Sequence, residues 1–194
     1  MTGRGKMHIL LETARLRLRH FTAGDADLLA ELDSDPEVMR FITYGVTTPR
    51  SAYAETFLPR WLAIYERQPG LGYFAAERRE GGEFLGWFHL RDDRIEPDYV
   101  ELGYRLRRPA WGQGYATEGA SALVRHGFAG LGVERISART LLRNVASQRV
   151  MQKCGLREVG RFEYPEDLLA GRDADERAAV KYAITRNEWL QRSG

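Results

Sequence analysis

Gly112 and Gly114 stand one residue apart in the run Arg108-Pro109-Ala110-Trp111-Gly112-Gln113-Gly114-Tyr115-Ala116-Thr117-Glu118, where an extended segment gives way to an amphipathic helix. Glycine lets the backbone turn tightly and approach a ligand with no Cβ in the way. The helix that follows offers unpaired N–H groups and the positive end of its dipole. Together these make an anion cradle suited to a phosphate or pyrophosphate. A P-loop needs Gly-Lys-Ser/Thr behind its glycines, and none is present. A dinucleotide fold asks for Gly-x-Gly-x-x-Gly after an early, continuously apolar strand. Here Thr117 takes the third glycine's place, and the preceding strand is polar on one face. The remaining expectation is the pyrophosphate of an acyl-coenzyme A.

Elements on either side must hold that cradle. Arg15, Arg17 and Arg19 alternate with Leu16 and Leu18, which predicts a half-buried strand over 9–21. Thr22-Ala23-Gly24-Asp25 opens a helix whose apolar face is Leu28, Leu29 and Leu32. Asp35-Pro36-Glu37 opens a short helix with Val38, Met39, Phe41 and Ile42 inward, and Thr47-Thr48-Pro49 a longer one that Pro59 is expected to kink or split. Strands are predicted over 72–77 and 84–90, joined at Gly81-Gly82, and over 98–105. Ala116, Ala120, Leu123, Val124, Phe128 and Leu131 recur at helical spacing behind the glycines. A strand over 135–141, a helix over 144–153 closed by Gly155, and strands over 156–162 and 178–184 complete the chain, with 171–175 as a loop. The order describes a mixed α/β (α+β) domain.

The bulk numbers exclude several classes. The 194 residues suit one domain (9–194) behind a flexible N-terminal tail (1–8). Net charge is only +2, from 29 basic and 27 acidic residues, which argues against nucleic acid as a partner. The single cysteine, Cys154, permits no intrachain disulfide and points to a reducing, cytoplasmic setting. His8, His20, His89 and His126 are scattered without zinc spacing, so no metal is expected. No apolar run approaches the ~20 residues of a membrane span.

Four segments, in order, carry a family resemblance. Trp111-Gly112-Gln113-Gly114-Tyr115-Ala116-Thr117-Glu118 resembles motif A of the GNAT N-acetyltransferases. Asn144-x-x-Ser147-x-Arg149-Val150-Met151-x-Lys153-x-Gly155-Leu156 resembles their motif B. Glu12-Thr13-Ala14-Arg15-Leu16-Arg17-Leu18-Arg19 is similar to the family's first strand, and Val100-Glu101-Leu102-Gly103-Tyr104 to the strand ahead of the glycines. The likeness is to the ribosomal-protein-alanine N-acetyltransferase branch and runs from about Leu11 to Trp189. It implies a GNAT-like, mostly antiparallel, strongly twisted sheet flanked by helices, and acetyl-CoA as cofactor. Two departures stand out. Pro109 occupies the position of the family's phosphate-binding Arg or Gln, with Arg108 one residue away, and Met151 occupies that of an acid tyrosine found in some members.

The reaction so implied is direct attack of an amine on acetyl-CoA in a ternary complex. The amine must be neutral: at pH 7 a lysine ammonium resists deprotonation by roughly 4 kcal/mol and an α-amine by about 1. Glu101, or Glu166 at the offset where the ribosomal branch carries a glutamate, is the expected base. Backbone N–H groups of the strand 101–104 are expected to face the thioester oxygen, and a bulge implied by the family would splay that strand and open a slot for the pantetheine arm. Leu102, Gly103, Tyr104 and Leu106 would line it. Asn144 and Ser147 share a helix face; Asn144 would hold the pantetheine or cap its helix, and Ser147 would donate to the leaving sulfur. Trp111, Gly112, Gln113, Gly114, Tyr115, Ala116 and Thr117 form the cradle. Arg149 and Lys153, with Arg107 and Arg108, would meet coenzyme phosphates. The acceptor is a primary amine on a protein N-terminus or on a small molecule such as an aminoglycoside or polyamine. A non-catalytic acyl-CoA-binding domain is the other class, and the chain is expected as monomer or homodimer.

Overall fold

The computed structural model describes residues 8–166, 169 and 171–193. One sheet organises them, with strand order β1-β2-β3-β4-β5-β6-β8-β7. In chain order the elements are β1 (Ile9–Glu12), β2 (Leu16–His20), α1 (Ala26–Asp33), α2 (Pro36–Met39), α3 (Arg50–Ala52), α4 (Leu58–Arg67), β3 (Gly72–Arg78), β4 (Phe84–Asp92), β5 (Val100–Leu106), α5 (Tyr115–Arg125), β6 (Arg135–Leu141), α6 (Val145–Lys153), β7 (Arg157–Glu163), α7 (Ala174–Arg177), β8 (Ala178–Thr185) and α8 (Arg186–Ser193). Every neighbouring pair is antiparallel except β5 with β6.

Alternation along the central strands feeds two apolar layers. Phe74, Ala76, Phe88, Leu90 and Leu102 pack with Ala120, Leu123, Val124 and Phe128 on one side of the sheet. Tyr73, Ala75 and Trp87 pack with Leu29, Leu32, Tyr53, Leu58 and Trp61 on the other. At ~25 cal/mol per Å² of apolar surface, the largest of these side chains contribute roughly 1.5–3 kcal/mol each. Gly119 lets α5 close on the sheet, since a Cβ there would lie 2.3 Å from Phe88.

Several expectations are corrected. The single strand over 9–21 is a hairpin of β1 and β2, because Thr13 turns the chain: its Oγ1 accepts from the Leu16 amide at 2.9 Å. The stretch opened by Pro49 stays helical from 50 to 67. Pro59 neither splits nor ends it, because one π-turn, Tyr53–Phe57, leads into Leu58–Arg67 and leaves proline in that segment's first turn. Of the loop expected over 171–175, residues 174 and 175 instead open α7 (Ala174–Arg177), behind an Asp173/Glu176 capping box. The polar α8 carries no helical pattern in its sequence, since only Trp189 and Leu190 give it apolar character. The expected tail over 1–8 lies outside the described residues except His8, whose carbonyl accepts from His20 N and whose ring stacks on His20 at 4.1 Å.

Candidate active site

The glycine turn is held open from behind. Gly112 (φ 72°) and Gly114 (φ 83°) adopt the left-handed conformation that favours glycine. Gly114 caps α5, and its carbonyl accepts from Glu118 N at 3.0 Å. Arg15, from the β1–β2 turn, clamps the cradle: its Nη1 donates to Gln113 O at 2.9 Å and its Nε to Glu118 Oε2 at 2.6 Å. Trp111 Nε1 donates to Leu106 O at 2.8 Å and ties the turn to the end of β5. Among the described residues, the amides of Gly112 to Ala116 donate no hydrogen bond within the protein. They remain available to an anion at the helix N-terminus.

The cradle opens onto a cavity of about 700 Å³ between β5 and β6. These strands pair only at Val100↔Ile136 and Glu101↔Ser137, then diverge. β4 and β5 keep full register from Gly86↔Leu106 to Asp92↔Val100. The expected splay is therefore present, but no bulge between β4 and β5 produces it. Arg107 N donates to Leu85 O at 2.8 Å, so odd-numbered residues of β5 turn their backbone groups to β4. Even-numbered residues turn theirs away. Among the described residues, no β6 residue pairs with Tyr104 or Leu106.

The opposite wall is a ladder of cross-strand pairs on one face: Trp87↔Arg105, His89↔Gly103 and Arg91↔Glu101. Gly103 leaves room for the imidazole, since a Cβ there would lie 2.5 Å from His89 Cε1. Glu101 is paired with Arg91 through Oε2, while its Oε1 lies 3.6 Å from Arg139 Nη1. Burial raises the Glu101 carboxyl above the ordinary range, against the pull of Arg91 and Arg139. Arg139 is fixed by Asp93 at 2.6 Å, and Ser137 Oγ donates to the same carboxylate at 2.7 Å. Arg105 is bound by Asp33 at 2.6 Å. On the cradle side, the Tyr104 hydroxyl lies 3.0 Å from both Ser147 O and Ser147 Oγ. Burial raises the Tyr104 phenol well above its usual value.

Comparison with known proteins decides the family. A family model described as an acetyltransferase (GNAT) domain matches residues 15–157. The chain belongs to the GNAT acetyltransferases. This GNAT chain is 34% identical over 190 residues to the FsC-acetyl coenzyme A-N(2)-transacetylase of Aspergillus fumigatus, covering 93% of this chain and 78% of that protein. It is 31% identical to the uncharacterized N-acetyltransferase YnaD of Bacillus subtilis, over 94% and 99% of the two chains. In fold it is similar to a GNAT-family acetyltransferase from Bacillus anthracis (TM-score 0.72, 24% identity, covering 91% and 98%). The fold is also that of RimL, the ribosomal L7/L12 alpha-N-protein acetyltransferase solved with coenzyme A (TM-score 0.74, 18% identity, covering 92% and 98%). The GNAT chain is therefore an N-acetyltransferase that uses acetyl-CoA.

Most residues singled out in the sequence meet at this cavity: Glu101, Leu102, Gly103, Tyr104, Leu106, Trp111, Gly112, Gly114, Tyr115, Ala116, Thr117, Asn144, Ser147, Arg149 and Lys153 all line it. Gln113 and Glu166 do not. Gln113 Nε2 folds back onto Pro109 O at 2.6 Å, leaving its backbone amide to the cradle. Glu166 is exposed in a turn, and its carbonyl accepts from Leu169 N at 3.2 Å. Asn144 caps α6, with Oδ1 accepting from Ser147 N at 3.2 Å. Arg107 and Arg108 are turned away, to Glu31 and Asp35 respectively. Exposed Arg149 and Lys153 have no ionic partner among the described residues and suit coenzyme phosphates. Phe41 lines the cavity, whereas Trp61 belongs to the core. Sequence reasoning passed over His89, Trp87, Arg139 and Tyr164, which also line it. The signal was Gly103 itself, because a glycine inside a strand marks close approach of a neighbour.

Proposed function

We propose that this acetyltransferase acetylates a primary α-amine. The observation that carries the reading is the position of Glu101, the one carboxylate in the ladder wall, held between Arg91 and Arg139. A carboxylate so paired is a modest base. It suffices for an amine that costs about 1 kcal/mol to deprotonate at pH 7, but not for a lysine side chain. The cavity wall supports the same choice. It carries Arg40, Arg105, Arg139, Arg149 and Lys153 against Glu37 and Glu101, so a polyamine or aminoglycoside would meet like charge. The names of the two relatives agree with it, one giving transfer to N(2) and the other to a protein alpha-N position.

In this reading acetyl-CoA supplies the activated acetyl group. The free amides from Gly112 to Ala116 hold its pyrophosphate, with Arg149 and Lys153 beside its outer phosphate. Glu101 accepts the proton that the amine gives up. The Tyr104 amide, facing the slot, stabilises the oxygen that gains charge. The Tyr104 hydroxyl, relayed through Ser147, supplies a proton to the departing thiolate. Release of CoA thiol with a panel of α-amino amides, short peptides and lysine side-chain amines tests it. The expected result at pH 7 is kcat/KM at least ~100-fold higher for α-amines, the ratio that a pKa gap of about 2.5 allows. Equal rates for ε-amines would overturn the assignment.

A further inference from the structure

Glu101 turns its two oxygens to different surroundings. Oε2 is paired with Arg91. Oε1 accepts no hydrogen bond among the described residues and stays open to the cavity that Glu101 lines. Arg139 Nη1 stands 3.6 Å from it, just beyond bonding distance. Two other carboxylates keep the guanidinium there: Nη1 donates to Asp93 Oδ2 at 2.6 Å and Nη2 to Glu96 Oε1 at 3.1 Å. Glu96 is shared with Lys181 of β8. Asp93 is a rigid anchor. Ser137 Oγ donates to its Oδ2 at 2.7 Å, and the amides of Ile95 and Glu96 donate to its Oδ1 at 2.9 and 3.2 Å. Burial works against its ionised form, yet these bonds prevail and keep the carboxyl below its ordinary range.

A small movement of the guanidinium would bring Nη1 to ~2.9 Å from Oε1 and make a charge-assisted bond. Glu101 would then be gripped at both oxygens, an ordinary ion pair with little affinity for a proton. We propose that Asp93 is a positioning residue that holds Arg139 back from Glu101, so that Oε1 is the oxygen left to take the acceptor's proton. Besides Arg91, Asp93 and Arg139, the groups that face Glu101 are His89, Arg94 and Tyr164. Burial keeps the His89 imidazole neutral and lifts the Tyr164 phenol to about 12, so neither competes for the proton. Arg94 stays charged throughout. The inference rests on Glu101 as the base, as proposed above.

The test compares wild type, D93N, R139Q, the D93N/R139Q double variant and E101Q with the best α-amine of the panel. Each is followed as kcat/KM against pH and checked for stabilisation by CoA in a thermal shift. In wild type, log kcat/KM falls with slope one where only the amine gains a proton, and with slope two once Glu101 does as well. In D93N the released Arg139 bonds Oε1. The onset of slope two is expected about one pH unit lower, with kcat/KM above it down about 10-fold. A variant that is merely less folded loses rate at every pH and leaves the onset where it was. In the R139Q background, adding D93N is expected to move the onset by less than about a third of that. An onset unmoved in D93N, or moved as far without Arg139, overturns the inference and leaves the enzyme reading intact. Should D93N no longer be stabilised by CoA, S137A removes one bond to Asp93 and no charge, and is expected to move the onset the same way by less. A slope of two that persists in E101Q, or a wild-type chain that acetylates no amine on the panel, overturns the base reading and this inference together.

Discussion

The imidazole of His89 occupies the space that a side chain at Gly103 would need, 2.5 Å from the position of a Cβ. Strand β5 therefore carries glycine there to admit a neighbour, not to bend. Gly103→Ala is expected to destabilise the fold by about 1–3 kcal/mol through overpacking. It should also raise the KM for the acceptor more than that for acetyl-CoA. Urea unfolding and two-substrate kinetics measure the two effects, and a neutral alanine would show that the ring moves freely.

Glu118 is the hub of the clamp behind the cradle, bonded by Thr13 Oγ1 at 2.6 Å and by Arg15 through both backbone and side chain. Burial would raise its carboxyl, but these bonds outweigh it and hold the carboxyl below the ordinary value. A depressed folded-state pKa gives stability that is present above the unfolded pKa and lost as pH falls through the folded one. Glu118→Gln should cost about 1–2 kcal/mol at pH 7, discounted for the half-exposed Arg15. The gap from wild type should narrow as pH falls below the ordinary glutamate pKa of about 4.3 and close once pH has passed the lower folded-state value. Stabilisation by CoA should fall in the same variant, as a thermal shift series reads.

Tyr104→Phe removes the hydroxyl that bonds Ser147 and leaves the ring in place. With the phenol as proton source to the thiolate, kcat should fall about 10²-fold or more while the KM for acetyl-CoA holds. Ser147→Ala should show a fall of the same kind, and the double variant should be little worse than either, because both act on one proton path. Additive losses in rapid-quench measurements would separate the two groups.

Glu101 must be ionised to take the proton. Because burial lifts its carboxyl, the acid limb of log kcat/KM should steepen from slope one to slope two at a pH above the ordinary carboxylate range. The first slope belongs to the amine. Glu101→Gln should keep slope one throughout and lose at least ~10²-fold in rate. A profile that steepens identically in the variant would assign the proton elsewhere.

The cradle and its helix were legible in the residues because local rules determine them. Gly112 and Gly114 need positive φ, and Asn144 is a good cap whatever else surrounds it. The acceptor wall was not legible, because it exists only in register. His89, Arg91 and Trp87 alternate on β4 like any half-buried strand, and their meaning appears when Gly103, Glu101 and Arg105 stand opposite. Ion pairs such as Arg139 with Asp93, 46 positions apart, have no local signature. The β1–β2 hairpin was missed for the reverse reason: leucines on both sides of Thr13 continue one alternating pattern through a tight turn.

The two rungs that join β5 to β6 leave the halves of the sheet connected like the covers of a book at one end of the spine. An extended pantetheine laid along β5 would stand in for the missing rungs, and loading the carrier would then finish the sheet. Amide protons of β5 and β6 should then exchange more slowly once CoA is bound, and the two covers should move as one board during turnover.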